Sequence, residues 1–198
     1  DGTIQNEVLK EYLSRGTYIY PYGPTMRLAR DVFVWAKQHV PKFNTITFSG
    51  YHPREKGATV EQEAAFAIAN ALQYLSEAQR AGLTKQELAQ IMGRVAWFMN
   101  MKLPPFEEVA KYRAMRRVWA TLVQDAFGMR VTADLSPEEA ASYQQAQMLR
   151  VQSWAGGSSV RFPEMPELHL VRNIIRAFNA SGAGSQGWDG AAFDESRG

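Results

Sequence analysis

The stretch Asn44-Thr45-Ile46-Thr47-Phe48-Ser49-Gly50-Tyr51-His52 decides the fold. Its first six residues alternate and are rich in β-branched side chains, which predicts a short strand that Gly50 closes. Residues 25–40 before it and residues 59–81 after it carry apolar stripes at helical spacing. A strand between two amphipathic helices is typical of an α/β protein with parallel strands.

The alternation of helices and strands continues along the chain. The apolar spacing predicts further helices over residues 4–13, 104–127 and 167–180, and further strands over residues 94–99 and 149–154, with a fourth near residues 185–188. The Gly/Ala/Ser-rich residues 181–198 are predicted to form a poorly ordered tail. The pattern therefore indicates one α/β domain with three or four strands.

Composition excludes several classes of function. The 198 residues are 45% hydrophobic, and 22 basic against 20 acidic residues leave a net charge of +2, which gives no electrostatic case for binding nucleic acid. The chain has no cysteine and three histidines, so thiolate zinc sites, iron–sulfur clusters and disulfides are excluded and a multi-histidine metal site is not expected. No apolar run approaches the roughly 18 residues of a membrane span. Asp1 is not an initiator methionine, so we expect translation to begin upstream.

The end of the first strand is the strongest candidate site, because parallel α/β proteins bind ligands at the carboxyl ends of their strands. Gly50 is expected to let the backbone approach a ligand, Tyr51 offers an aromatic face and a hydroxyl, and His52 can donate a hydrogen bond or a proton near neutral pH. Taken alone, His52 also fits a histidine that is satisfied by local backbone.

Two arginines and one charged helix are less distinctive. Arg15 has the chemistry to bind a carboxylate through two hydrogen bonds, and Arg94 opens the second predicted strand, but both also fit plain surface charges. The charges at Glu107, Glu108 and Lys111 are expected on a solvated helix face. The motifs G-x-S-x-G, H-E-x-x-H and G-x-G-x-x-G are absent, so hydrolase and nicotinamide functions have no support.

Several motifs together resemble the methylmalonyl-CoA mutase family, the adenosylcobalamin-dependent acyl-CoA mutases. The resemblance is densest over residues 2–130 and rests on these stretches: GTIQNEVLKEY at 2–12, RGTYIYP at 15–21, NTITFSGYH at 44–52, RVAWF at 94–98 and AKYRAMRRVW at 110–119. It implies a partial (β/α)8 TIM barrel of about three to four βα units, taken from the middle of the substrate-binding barrel. Residues 131–147 look like an insertion, and residues 181–198 remain the tail.

The resemblance also implies roles for individual residues. His52 matches the histidine that hydrogen-bonds the thioester carbonyl, and Tyr51 matches the tyrosine that helps to drive the adenosyl group off cobalt and shields the radical. Arg15 matches the arginine that pairs with the free carboxylate of methylmalonyl-CoA. The remaining matches are substrate or CoA contacts at Gln5, Asn44 and Arg94, and a residue of the loop that faces the corrin, Glu55.

The chain departs from the family pattern in the later strands. The His-x-Gln pair that reaches the substrate in the family is replaced, by this alignment, at Val151 and Ser153. The family's D-x-H-x-x-G motif is absent, so the cobalt ligand would come from another segment or subunit, and no residue of this chain is expected to bind the metal.

Two hypotheses follow from the resemblance. In the first, the chain is part of an adenosylcobalamin-dependent mutase that converts a carboxylated acyl-CoA such as methylmalonyl-CoA to succinyl-CoA, and a cobalamin-binding domain or subunit and the remaining barrel complete it. In the second, it is a degenerate homologue that binds an acyl-CoA or a partner protein without radical catalysis. Neither involves nucleic acid or a membrane, and the family implies a cytoplasmic protein, or a mitochondrial matrix protein in a eukaryote.

Overall fold

The computed structural model describes residue 4, residues 6–157 and residues 168–190. Four parallel strands lie in the order β1-β2-β3-β4, and each strand is joined to the next through helices. The strands and helices, in two lists, are β1 Thr47–Ser49, β2 Ala96–Met101, β3 Arg150–Ala155 and β4 Gly187–Asp189; and α1 Tyr22–His39, α2 Tyr51–Glu55, α3 Val60–Arg80, α4 Lys85–Met92, α5 Pro105–Ala126, α6 Pro137–Gln147 and α7 His169–Gly182.

The two faces of the sheet differ in what covers them. Phe48, Trp97 and Val151 point to one face, where they are fully buried in the hydrophobic core together with residues of α3, α5 and α7. On the other face of the described sheet, Gln152 is exposed and Trp154 is only partly buried. A parallel sheet with helices on one face has the geometry of a barrel wall. The predicted fold class, an α/β partial barrel of about four βα units, is confirmed.

The observed bounds of the strands differ from the bounds predicted from the sequence. β2 begins at Ala96 rather than at residue 94, and the predicted tail contains both the end of α7 and β4. Residues 191–198 of that tail lie outside the described residues. The proposed insertion at residues 131–147 holds α6, which packs on α4 and α5 and accepts a hydrogen bond from Trp119 Nε1 at Ala146 O, 3.0 Å.

The start of the chain is not a plain helix. Ile4 pairs in parallel with Ile46 beside β1, so the helix predicted from residue 4 is wrong at its first residues. A π-helix, Lys10–Arg15, follows and ends at Gly16, whose φ of 64° is the left-handed conformation that glycine adopts without a steric penalty. The Tyr74 hydroxyl fastens this segment to α3, since it accepts from Val8 N and donates to Asn6 O.

Candidate functional site

An aromatic wall stands at the carboxyl ends of the first three strands. The Tyr51 ring stacks on Phe98, with centroids 4.8 Å apart and planes 24° apart, and Trp154 meets Phe98 edge-on at 4.5 Å. Phe98 and Trp154 sit at alternate positions of β2 and β3 and therefore share the face of the sheet that the helices leave uncovered. The wall is an apolar surface against which a ligand can lie without water.

His52 stands beside this wall between a hydroxyl and a guanidinium. Its Nδ1 lies 2.8 Å from Ser49 Oγ, and its Nε2 lies 2.9 Å from Arg15 Nη2. The sequence prediction that left Arg15 and His52 as separate candidates is thus sharpened, because the two side chains, 37 residues apart, touch. Both ring nitrogens of His52 therefore have side-chain partners, and the alternative of a histidine satisfied by local backbone is not what the structure shows.

The charge state of His52 follows from its surroundings. Burial, reinforced by the positive charges of Arg15 and Lys10, lowers the pKa of His52 to about 3. The imidazole is therefore neutral near pH 7. A neutral imidazole presents one N–H donor and one acceptor nitrogen.

The π-helix holds Arg15 in place. Glu11, one turn earlier, accepts from Arg15 Nη1 at 3.3 Å, so the guanidinium is held between a carboxylate and an imidazole while its side chain stays 46% exposed. Beneath it Lys10 and Glu7 form a buried ion pair at 2.6 Å, and burial raises the pKa of Glu7 to about 7. The remaining N–H groups of the exposed guanidinium suit a carboxylate.

Glu55 lies at the same edge of the sheet. Its Oε1 accepts from Asn100 Nδ2 at 2.6 Å and lies 3.9 Å from Lys102 Nζ. A β-carbon added to Gly156, just after β3, would lie 2.0 Å from this oxygen. Glu55 therefore bridges the ends of three strands.

A buried charged cluster of Lys111, Glu63 and Glu108 is hydrogen-bonded to the backbone of Asn100 near the end of β2. Lys111 Nζ donates to Glu63 Oε2 at 2.9 Å, to Glu108 Oε2 at 2.6 Å and to the carbonyl of Asn100 at 2.7 Å. The other oxygen of Glu63 accepts from Asn100 N at 2.8 Å, and burial raises the pKa of Glu63 to about 7. The prediction of a solvated helix face is wrong for Glu108 and Lys111, which are 0% and 4% exposed, and holds only for the exposed Glu107.

Gly50 allows α3 to pack closely against the end of β1. A β-carbon at Gly50 would lie 2.7 Å from Glu63 Cγ and 2.7 Å from Met99 Cε, so α3 approaches the strand end as closely as a glycine allows. That a ligand approaches the backbone at Gly50 stays a prediction. Because glycine has no side chain, α3, which carries Glu63, can pack directly against this backbone.

Two of the predicted substrate contacts lie at the opposite edge. Arg94 precedes β2, is exposed, and points Nη1 toward the carbonyl of Lys42 at 3.5 Å. Asn44 precedes β1, donates to Thr47 Oγ1 at 3.4 Å, and keeps Oδ1 buried with no hydrogen-bond partner among the described residues. The strand β1, Thr47–Ser49, lies between Asn44 and His52, and Arg94 lies two residues before β2 begins. Gln5 lies outside the described residues.

Comparison with known proteins identifies the family. The family described as methylmalonyl-CoA mutase matches residues 1–198, the whole chain. The chain belongs to the methylmalonyl-CoA mutase family. It is 38% identical to the mitochondrial methylmalonyl-CoA mutase of Mus musculus over 197 residues, and 37% identical to the methylmalonyl-CoA mutases of Rhizobium meliloti and Escherichia coli. These matches cover 98–100% of this chain and 24–25% of each relative, so the chain spans about a quarter of their length.

The structure corrects the register of the family's His-x-Gln positions. Val151 is buried in the core, and Ser153 Oγ bonds the Tyr112 hydroxyl of α5 at 2.8 Å, so both face the helices. Gln152 and Trp154 occupy the other face, where Trp154 meets the Tyr51 ring at 6.1 Å. A shift of one residue exchanges the two faces of a strand. The residues that face the site are therefore Gln152 and Trp154.

Each of the three histidines contacts other residues of this chain. His39 stacks on Trp35 at 4.4 Å in α1, and His169 bonds Asn173 at 2.9 Å in α7, while both ring nitrogens of His52 are engaged. Across residues 4, 6–157 and 168–190, no three His, Asp or Glu side chains are grouped as metal ligands. None of the helices in these ranges is long and apolar enough to cross a membrane.

Proposed function

We propose that this chain forms the acyl half of the substrate site in an adenosylcobalamin-dependent mutase that converts methylmalonyl-CoA, or a similar carboxylated acyl-CoA, to succinyl-CoA. The observation that carries the proposal is the 2.9 Å contact between Arg15 Nη2 and His52 Nε2. In methylmalonyl-CoA the carboxylate and the thioester carbonyl are attached to the same carbon. A carboxylate receptor beside a carbonyl donor matches that arrangement.

Each group has a stated task in this proposal. Arg15 binds the carboxylate through charge-assisted hydrogen bonds. His52, neutral at pH 7, donates a hydrogen bond to the thioester carbonyl and shifts its proton partly toward that oxygen as the carbon skeleton rearranges. The aromatic wall of Tyr51, Phe98 and Trp154 keeps water from the reacting carbons.

The CoA portion is assigned to the opposite edge of the sheet. Arg94, Lys42 and Arg150 are exposed there, and three cations suit the phosphates of CoA. The buried Oδ1 of Asn44, which has no hydrogen-bond partner among the described residues, can accept from an amide N–H, a group that pantetheine carries. The uncovered face of the sheet connects this edge with His52. Gln5, beside Ile4, is assigned to the same substrate by the family pattern.

Adenosylcobalamin, when bound, supplies the radical that abstracts hydrogen from the acyl group. Tyr51 and Glu55 are the residues of this chain assigned to face it. Tyr51 would offer a flat ring to the group, and Glu55, at the carboxyl edge of the sheet, would lie in the loop that faces the corrin. The cobalt ligand and the rest of the barrel are assigned to residues beyond this chain, and we call the assembly that contains them the complete enzyme.

The second candidate is a degenerate homologue that binds acyl-CoA, or a partner protein, without radical chemistry. One observation favours it: the site-facing positions of β3 hold Gln152 and Trp154 instead of the family's histidine and glutamine. An amide and an indole supply fewer proton-transfer groups than an imidazole.

Turnover distinguishes the candidates. The complete enzyme is mixed with adenosylcobalamin and methylmalonyl-CoA, and succinyl-CoA and the paramagnetic signal are followed. We expect product, and we expect His52→Ala to lower kcat by roughly 10²–10⁴-fold, the size of a general acid–base contribution. Arg94→Ala is the matched control and raises KM with kcat retained. Acyl-CoA binding without product or signal would establish the degenerate homologue instead.

A further inference from the structure

The contacts of His52 fix which ring nitrogen carries the proton. A guanidinium donates hydrogen bonds and accepts none. Arg15 Nη2 therefore donates to Nε2, and this nitrogen is the acceptor of the neutral ring. The proton is then on Nδ1, which donates to Ser49 Oγ at 2.8 Å. Arg15 and Ser49 together hold one tautomer.

That tautomer cannot perform the task assigned to His52. Nδ1 faces Ser49, which is 2% exposed, so only Nε2 lies on the side from which a substrate carbonyl can approach. A carbonyl oxygen accepts hydrogen bonds and needs a proton on Nε2. As long as Arg15 donates to Nε2, this nitrogen cannot carry a proton and the carbonyl oxygen cannot lie within hydrogen-bond distance of it.

We propose that the substrate carboxylate switches the tautomer of His52 by drawing Arg15 away from Nε2. This inference rests on the proposed function. The proton leaves Nδ1 and a proton arrives at Nε2 through solvent water, so the charge of the ring does not change. Ser49 turns from acceptor to donor, because a hydroxyl that rotates can donate to the Nδ1 lone pair that the switch creates. Ser49 is thereby a positioning residue, and it acts through His52.

The switch makes Arg15 a specificity device as well as a binding group. An acyl-CoA with a free carboxylate releases Nε2 and gains a donor for its carbonyl. An acyl-CoA without a free carboxylate leaves Arg15 hydrogen-bonded to Nε2 of His52, so its thioester carbonyl gains no hydrogen-bond donor. Carboxylated and uncharged thioesters are then distinguished at the activation of the carbonyl in addition to their affinity.

The tautomer can be observed directly by nitrogen NMR. The complete enzyme is labelled with ¹⁵N-histidine, without adenosylcobalamin, and the signals lost in His52→Gln identify His52. We expect Nδ1–H in the free enzyme, Nε2–H with malonyl-CoA, and Nδ1–H with butyryl-CoA. The variant Arg15→Leu should give Nε2–H with no thioester present, because nothing then donates to Nε2.

The outcomes separate this inference from the proposed function. Nε2–H in the free enzyme overturns the switch and leaves the proposed function standing. Binding of malonyl-CoA with His52 still in the Nδ1–H form overturns both the switch and the carbonyl role of His52, while formation of succinyl-CoA still tests the mutase itself. If malonyl-CoA does not bind at all, the proposed function fails and the switch with it.

Kinetics give a second readout for Ser49. We expect Ser49→Ala to lower kcat on methylmalonyl-CoA roughly tenfold, the equivalent of one lost hydrogen bond, with KM little changed. Ser49→Thr keeps the hydroxyl and should restore most of kcat. An equal loss in both variants, or a loss in KM alone, contradicts the role given to Ser49.

Discussion

The two edges of the sheet are built in different ways. At the carboxyl edge, His52 contacts Ser49 and Arg15, and Glu55 accepts from Asn100, whose carbonyl accepts from the buried Lys111. At the amino edge, Arg94 is exposed and its one described hydrogen bond, to a backbone carbonyl, is 3.5 Å long. The side chains at the carboxyl edge are held by several hydrogen bonds, whereas Arg94 at the amino edge is held by one long hydrogen bond among the described residues. Reaction geometry needs the first property, and the grip on a long flexible ligand tolerates the second.

Removal of Lys111 should break the rigid edge most severely. Lys111→Met leaves Glu108 buried without its cation and leaves Glu63 only Arg54, whose Nε lies 3.7 Å from Oε2, and we expect the free energy of unfolding to fall by about 3–5 kcal/mol. Urea denaturation measures the loss. Arg113→Met, on the exposed face of the same helix, is the control and should change stability by no more than about 0.5 kcal/mol. A loss below about 1 kcal/mol for Lys111→Met would show that the cluster does not hold this edge.

Gly50 tests the same edge by packing alone. Gly50→Ala places a methyl group 2.7 Å from Glu63 Cγ and 2.9 Å from the Glu63 carbonyl oxygen, so we expect a loss of about 1–3 kcal/mol. Gly23→Ala in α1 meets nothing within 4 Å and should not destabilise the fold. Thermal unfolding compares the two variants. Equal stability would mean that α3 can move away from the strand end at no cost.

The histidine at this edge predicts a pH dependence. Because the folded pKa of His52 is about 3 against 6.5 for the free group, the unfolded chain binds the proton first as pH falls. Its contribution to stability is complete above about pH 6.5 and is lost as pH falls toward 3, with a slope of at most about 1.4 kcal/mol per pH unit. His52→Gln should flatten that slope, as measured by urea unfolding at several pH values. An unchanged slope in the variant contradicts a neutral, partly buried imidazole at His52.

Much of the fold could be predicted from the sequence, because period-2 and period-3.6 patterns do not depend on distant contacts. The boundaries were less accessible. The strand predicted over residues 94–99 begins at Ala96, since the hydrogen-bond register with β1 and β3 decides where pairing starts. That shift of two residues places Arg94 before the strand and settles which edge it occupies.

The site was only partly visible in the sequence. Tyr51 and His52 follow a strand, and Arg15 is a candidate carboxylate binder that only the family pattern distinguishes from a plain surface charge. The contact between Arg15 and His52 depends on the π-helix and on the paired Ile4, neither of which apolar spacing reveals. The burial of Lys111 was missed because acidic and basic residues three apart look the same on a solvated face and in a buried cluster. Phe98 and Asn100 are two residues apart and therefore lie on the same face of β2, and this spacing could have indicated which face of the strand the helices leave uncovered.

The difference between the edges is tested most directly by titration calorimetry of the complete enzyme with malonyl-CoA and butyryl-CoA. Arg15→Ala should weaken malonyl-CoA by roughly 10- to 150-fold, the range of about 1.5–3 kcal/mol for a charge-assisted hydrogen bond, and should not weaken butyryl-CoA. Arg94→Ala should weaken both thioesters by the same factor, because both carry the same CoA. Equal loss of both thioesters in Arg15→Ala, or a loss in Arg94→Ala that depends on the carboxylate, would contradict the account.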